Sequence, residues 1–211
     1  MARLWLFDFD GTLVNSEKAI KACYLEVGKE LVPERCTFIK TMVIGPTLHE
    51  SIKMILDNKK LHLLDVFKKK FQQLYDDKLV FETPRYPLVD ETLKQLRNQG
   101  DHLCVVTNKR AHPTHKLIEH YSWHQLFEWV ACMDEYPSAQ NKSDIITLKN
   151  ISKKKYDVIF FVGDTLSDGI TAQAHNIPFI WAQYGYGQNQ DWSKIKIFKT
   201  INSIDEIKSI N

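Results

Sequence analysis

The sequence predicts an α/β fold, a doubly wound parallel sheet with an inserted α-helical cap. Three observations carry that expectation. The apolar run Leu4-Trp5-Leu6-Phe7 ends in Asp8-Phe9-Asp10-Gly11-Thr12-Leu13. Residues 15 to about 84 read as helix throughout, with no strand between. From Tyr86 onward helices and strands alternate, in units of the length that parallel strand connections need.

The opening run has the density of Leu and Phe expected of a buried strand. It then finishes in two carboxylates two residues apart. In an extended segment positions i and i+2 point the same way, so Asp8 and Asp10 can converge just past the strand end, where Gly11 permits a sharp turn. Two carboxylates that close repel each other. The pair therefore implies either a hard cation such as Mg²⁺ or one carboxylate held protonated. For a lone Asp-x-Asp the plain alternative is a solvated strand end, and only the downstream chain decides against it.

Asn15 or Ser16 caps a helix running to about Leu31, with Ala19, Ile20, Cys23, Tyr24 and Val27 on one face. Pro33 ends it. Further helices are expected over about Glu34–Thr41, Thr47–Leu56 and Lys60–Lys78, the last carrying Leu64, Phe67, Phe71, Leu74 and Tyr75. These make a separate small lobe, so the chain divides into a core of residues 1–14 and 85–211 and a cap of residues 15–84. In the core, Leu88–Asn98 reads as a helix stopped at Gly100. His102–Val106 reads as a strand ending in Thr107-Asn108-Lys109, His115–Tyr121 as a helix and Trp129–Cys132 as a short strand. Lys142–Asn150 is a helix that leads to the most apolar strand, Asp157–Val162, which ends in Gly163-Asp164. Leu166–His175 is helix and Pro178–Trp181 strand. Gly185 and Gly187 mark a loop, Ile195–Phe198 a last short strand, and Ile204–Ile210 a terminal helix.

The 211 residues suffice for a sizeable core, and a net charge of +2 with mixed signs leaves no footprint for nucleic acid. The runs Lys68-Lys69-Lys70 and Lys153-Lys154-Lys155 read as solvated faces. No leader-like segment opens the chain and no apolar run reaches membrane-span length, so a cytoplasmic protein with no membrane partner is expected. Cys23, Cys36, Cys104 and Cys132 form no CxxC pair and read as reduced, mostly buried thiols.

Ligands of parallel α/β sheets bind outside the carboxyl ends of the strands. Asp8 and Asp10, Thr107 and Asp164 all stand at such ends, and Lys142 opens a helix between two of them. The i, i+4 spacing of Asp164 and Asp168 would put both on one helical face. So many carboxylates in one cleft need neutralising, which Mg²⁺ and a lysine ammonium can supply. The hydroxyl and ammonium suit phosphate oxygens.

With these residues in place, the sequence resembles the haloacid dehalogenase superfamily, in particular its phosphatases with a helical cap after the first strand. Four motif regions match in order: Asp8-Phe9-Asp10-Gly11-Thr12, Thr107, Lys142, and Gly163 to Asp168. The resemblance implies that Asp8 is the nucleophile that takes the phosphoryl group and that Asp10 protonates the leaving alcohol and later deprotonates water. It implies Mg²⁺ held by the Asp8 carboxylate, the Asp10 backbone carbonyl and Asp164. Thr107, Asn108 and Lys142 would bind phosphoryl oxygens, and Asp168 would orient Lys142 or a metal-bound water. Asp10 also favours phosphate ester hydrolysis over carbon–halogen cleavage, because dehalogenases of the superfamily typically lack an aspartate there.

Thr107-Asn108-Lys109, Tyr86-Pro87 and Gly45 resemble the phosphoglycolate phosphatase-like group. Asn15, Leu88, Arg110 and His175-Asn176 depart from it, standing where Asp, Gly, Pro and Ala-Gly are usual. The expected partner is a small phosphorylated metabolite, with the chain a monomer or homodimer. Three rivals stay open: a phosphomutase using the same Asp8 and Asp10 chemistry, a phospho-accepting signalling module, and a silent binding protein.

Each residue also has a plainer reading. Lys142 could be a surface lysine, Thr107 a helix cap, and Asp168 a solvated helix residue. His120 and His124, spaced i, i+4, have no evident third zinc ligand. Gly45-Pro46-Thr47 and His49 either face the substrate or only join two helices, and Trp181, Tyr184 and Tyr186 read as packing residues.

Overall fold

A computed structural model of the chain describes residues 2–151 and 155–210. Six strands form one sheet in the order β3-β2-β1-β4-β5-β6: β1 (Arg3–Phe7), β2 (His102–Thr107), β3 (Trp129–Cys132), β4 (Val158–Gly163), β5 (Phe179–Ala182) and β6 (Ile197–Ile201). Every pairing is parallel. β1 lies between β2 and β4, with Phe7 in register with both Val105 and Val162. Strand order reverses at β1 and β4, which makes their carboxyl ends the switch point where such sheets open a crevice.

Strand alternation sorts the apolar side chains into two buried layers. Trp5, Phe7, Leu103, Val105, Phe160 and Val162 face one side, and Leu4, Leu6, Cys104, Val106, Ile159 and Phe161 the other. The helices α5 (Val89–Asn98) and α6 (Ala111–His120) cover the first layer. α7 (Lys142–Leu148) and α8 (Leu166–Ala174) cover the second. The sheet is therefore wound on both faces, as the near-continuous apolar strands demand.

Between β1 and β2 the described chain runs through α1 (Glu17–Leu31), α2 (Cys36–Thr41), α3 (Leu48–Leu56) and α4 (Leu64–Leu74). Their apolar faces meet through aromatic contacts: Tyr24 lies 4.5 Å from Phe71, and Phe71 stacks on Tyr75 at 5.7 Å between centroids. The segments entering and leaving this helical stretch run side by side. Asn15 N–H donates to the Pro84 carbonyl at 2.7 Å, and Tyr86 N–H to the Leu13 carbonyl at 3.0 Å. No described helix is long and apolar enough to cross a membrane.

Several boundaries differ from expectation. α6 begins at Ala111, four residues before His115, because Pro113 falls in its first turn, where a missing N–H is no loss. α4 starts at Leu64 after a 3₁₀ turn over Leu61–Leu63, and widens into a π-helical turn over Tyr75–Leu79. The second expected helix divides into a 3₁₀ turn, Pro33–Arg35, and α2. The last strand is Ile197–Ile201, and the terminal helix is 3₁₀ over Ile204–Ser209. Of the two lysine runs, Lys153 and Lys154 lie outside the described residues. Lys68 to Lys70 are half-buried to exposed on α4.

Candidate active site

The strand ends bring Asp8, Asp10, Thr107 and Asp164 together, and α7 delivers Lys142 to them. Asp8 follows β1 directly, its N–H donating to the Val162 carbonyl at 2.9 Å. Asp8 is 4 % exposed. Lys142 Nζ lies 2.5 Å from Asp8 Oδ1 and 2.6 Å from Asp168 Oδ1, so this lysine is buried at the centre of the site and is no surface residue. It opens α7 behind a capping box in which Asn141 accepts from the Asp144 N–H.

Asp164 stands in the turn before α8, not on the helix, so the i, i+4 expectation of a shared helical face is corrected. α8 starts at Leu166 with Thr165 as its N-cap and Asp168 at the third position, closing a capping box. Asp168 Oδ2 accepts from the Thr165 N–H at 2.9 Å and hydroxyl at 2.7 Å while Oδ1 holds Lys142. Both of its oxygens are thereby committed. The helix cap and the orientation of Lys142 depend on one carboxylate.

Asp164 is fully buried, accepting from the Tyr186 N–H at 2.7 Å and the Thr12 hydroxyl at 3.3 Å. No ammonium or guanidinium of the described residues touches it. Its carboxyl is pushed well above the usual range by burial and then by the charges of Asp8 and Asp168. Burial also raises Asp8 to about 7, against the opposing pull of Lys142. Oxygens of Asp8, Asp164 and Asp168 lie within 4.8 Å of one another. A desolvated, hard-oxygen cluster short of positive charge fits a divalent cation such as Mg²⁺, with Asp8 and Asp164 as the carboxylates left to hold it.

Close backbone approach makes this cluster possible. A Cβ on Gly11, whose φ is +87°, would stand 2.2 Å from Asp164 Oδ2, and one on Gly185 would stand 2.4 Å from the Gly11 carbonyl. The aromatic residues nearby brace the same turn. Tyr184 OH donates to the Thr12 carbonyl, Tyr186 OH accepts from the Ser16 N–H, and Trp181 Nε1 donates to the Asp164 carbonyl.

Thr107 ends β2 and lines the cavity over Asp8. Its Oγ1 accepts from the Lys109 N–H at 3.1 Å, which leaves the hydroxyl proton for another acceptor. The N-cap of α6 is Arg110, so Thr107 does not cap that helix. Asn108 Nδ2 donates to the Gly45 carbonyl at 3.1 Å, joining the core to the turn before α3, and its buried Oδ1 has no partner among the described residues. Gly45 and Pro46 line the cavity, whereas His49 is exposed and does not. His120 packs against Phe81 and Tyr121.

The model of the haloacid dehalogenase-like hydrolase family matches residues 5–182. The chain belongs to that family. Among its relatives, a phosphoglycolate phosphatase of Psychrobacter arcticus is 26% identical over 201 residues, covering 90% of this chain and 86% of the relative. A pyrophosphatase PpaX of Bacillus cereus is 26% identical over 171 residues, covering 80% and 77%. A solved haloacid dehalogenase-like family hydrolase from Streptococcus pneumoniae shares the fold with a TM-score of 0.79 at 21% identity, covering 97% of this chain and 96% of its own.

This hydrolase also places in the site a residue that sequence reasoning missed. Lys109 Nζ contacts both Asp10 oxygens, at 3.0 and 3.2 Å, and the Tyr75 hydroxyl at 2.8 Å. A signal was present, since Lys109 lies two residues past Thr107, the same spacing that joins Asp8 to Asp10. Nothing in the sequence separates Tyr75 from the other apolar-face aromatics of its helix. Arg110, which stands where a proline is usual, makes a bidentate pair with Asp76 at 3.0 and 2.6 Å.

Proposed function

We propose that this hydrolase is a Mg²⁺-dependent phosphatase that cleaves a small phosphate monoester through an aspartyl-phosphate on Asp8. The observation that supports it most is the meeting of Asp8, Asp10, Thr107, Lys142 and Asp164 at one switch point, from segments more than 150 residues apart. The names of the relatives support the same reaction class.

In this reading an Asp8 oxygen attacks phosphorus and the ester P–O bond breaks. Asp10 gives its proton to the departing alkoxide, then takes one from the water that attacks the aspartyl-phosphate, and phosphate leaves as the Asp8 carboxylate is restored. Thr107 and Lys142 bind the non-bridging oxygens, and Lys142 offsets their charge in both transfers. Asn108 joins them once its amide is released from Gly45. Asp168 holds Lys142 in place. Mg²⁺, held by the Asp8 carboxylate, the Asp10 backbone carbonyl and Asp164, would supply electrophilic stabilisation of the phosphoryl oxygens.

The domain division belongs to this reading as well. Residues 15–84 act as a cap over a core of residues 1–14 and 85–211, and closure excludes bulk water. The test is phosphate release from p-nitrophenyl phosphate with Mg²⁺ or EDTA, for the wild type and Asp8→Asn. Release that needs the metal and vanishes in the folded variant is expected. A folded wild type that releases none, or that passes the phosphoryl group to a second sugar hydroxyl without free phosphate, overturns it.

A further inference from the structure

The cavity over Asp8 has a volume of about 70 Å³. Its floor is the polar cluster described above. Its far walls come from the helical stretch and are apolar or aromatic: Ile20 and Tyr24 of α1, Ile44, Leu48 of α3, and Phe71 of α4. Of the polar groups on that side, the Tyr24 hydroxyl bonds to Ser51 and the Tyr75 hydroxyl accepts from Lys109 Nζ.

The cations facing the cavity are Lys109, Arg110 and Lys142, and each has a carboxylate partner. Lys142 is shared between Asp8 and Asp168, Lys109 grips Asp10, and Arg110 is paired through both nitrogens with Asp76. With Asp164 included, five carboxylates face three cations. A divalent metal offsets the excess, and the transferred phosphoryl dianion then takes up what the metal supplied. Any further anion on the substrate would meet the apolar wall with no counter-charge, or would have to break the Arg110–Asp76 pair and leave Asp76 alone. Asn108 adds to this, because the atom it leaves unpartnered is Oδ1, an acceptor. An acceptor repels a carboxylate and suits the hydroxyl of an alcohol.

We infer that the leaving group of the substrate is an uncharged, largely apolar alcohol, and that esters carrying a second anionic group are poor substrates. This inference rests on the phosphatase reading and narrows it. It also separates the chain from the two relatives named for phosphoglycolate and pyrophosphate, both of which carry a second anionic group.

The experiment compares kcat/KM, with Mg²⁺ present, for p-nitrophenyl, benzyl and butyl phosphate against 2-phosphoglycolate and pyrophosphate. Benzyl phosphate is expected to exceed 2-phosphoglycolate and pyrophosphate by about tenfold or more, the factor that corresponds to roughly 1.4 kcal/mol. Turnover of either anionic substrate as fast as benzyl phosphate overturns the inference and leaves the phosphatase reading intact. No release from any ester, p-nitrophenyl phosphate included, overturns both. Asp76→Asn supplies an internal check, because it frees Arg110 to meet a substrate anion. The ratio of 2-phosphoglycolate to benzyl phosphate kcat/KM should rise on the order of tenfold in that variant. An unchanged ratio, with benzyl phosphate activity showing that the variant is folded, counts against the role given to the Arg110–Asp76 pair.

Discussion

Lys109 is buried and holds Asp10 by both oxygens, yet it belongs to no expected set of catalytic residues. In the proposed reaction it is a positioning residue, fixing the carboxylate that would deprotonate water in the second half. Tyr75 holds the lysine in turn, and the Tyr75 hydroxyl lies 3.3 Å from Thr83 Oγ1. Lys109→Met should lower kcat by about 10²-fold, the scale of a general base lost, because the aspartyl-phosphate would be hydrolysed slowly. It should leave kcat/KM for p-nitrophenyl phosphate within about threefold, since that leaving group needs no proton. A burst of p-nitrophenol in rapid mixing would register the difference, and equal falls in both parameters would show a purely structural role. At this scale the convergence of Asp8, Asp10, Thr107, Asp164 and Lys142 was legible, because they sit at strand ends or a helix start. The tethers between them were not legible, because each joins residues 34 or more positions apart.

Among the elements, long helices and buried strands were readable from periodicity, and their ends were set by backbone details that periodicity does not carry. Two departures from the phosphoglycolate phosphatase-like pattern show this. Leu88 caps α5 with φ +63°, and Asn176 follows α8 with φ +52°. Glycine is usual at both positions, and both adopt the left-handed conformation that glycine reaches without strain. Asn tolerates it, whereas Leu does so at a cost of about 1–2 kcal/mol. Leu88→Gly should therefore stabilise the fold by about 1 kcal/mol after its own entropic penalty, since Leu88 is 46 % exposed and little packing is lost. Thermal denaturation would record this as a rise in Tm of a few degrees. The π-helical turn at Tyr75–Leu79 had no signature in the sequence, and it is the turn that delivers Tyr75 to the cavity and Asp76 to Arg110.

For the molecule as a whole, the proposed Mg²⁺ would compete with a proton for one site. Without a cation, burial keeps the Asp8 carboxyl protonated from its ordinary 3.8 up to about 7, so the folded state binds an extra proton in that window. Stability of the metal-free protein then falls as pH rises through the window. Mg²⁺ needs the deprotonated form, so its stabilisation should be larger at pH 8 than at pH 6. At a hundredfold excess over Kd it contributes about 2.7 kcal/mol, read as a Tm rise of several degrees by calorimetry. Asp164→Asn should abolish the rise at both pH values. The thiols give a second global readout. Burial pushes Cys23, Cys104 and Cys132 up to about 12, leaving a thiolate fraction on the order of 10⁻⁴ at pH 8. Iodoacetamide should label half-buried Cys36 first, and mass spectrometry should find the other three protected until the protein unfolds.

The central place of β1 governs how the chain comes together in time. This strand is made first, but its neighbours are residues 102–105 on one side and 158–162 on the other. During synthesis it must wait through the whole helical stretch for one partner and through most of the core for the other. Pairings this distant in sequence are slow to form, and an unpaired apolar strand is prone to sticking in the interval. A nascent chain stalled anywhere before β4 would expose the Asp8 strand along one edge. Asp8 and Asp164 thus come together only once β4 has paired with β1, so a chain stalled before β4 lacks the carboxylate cluster of the proposed reaction.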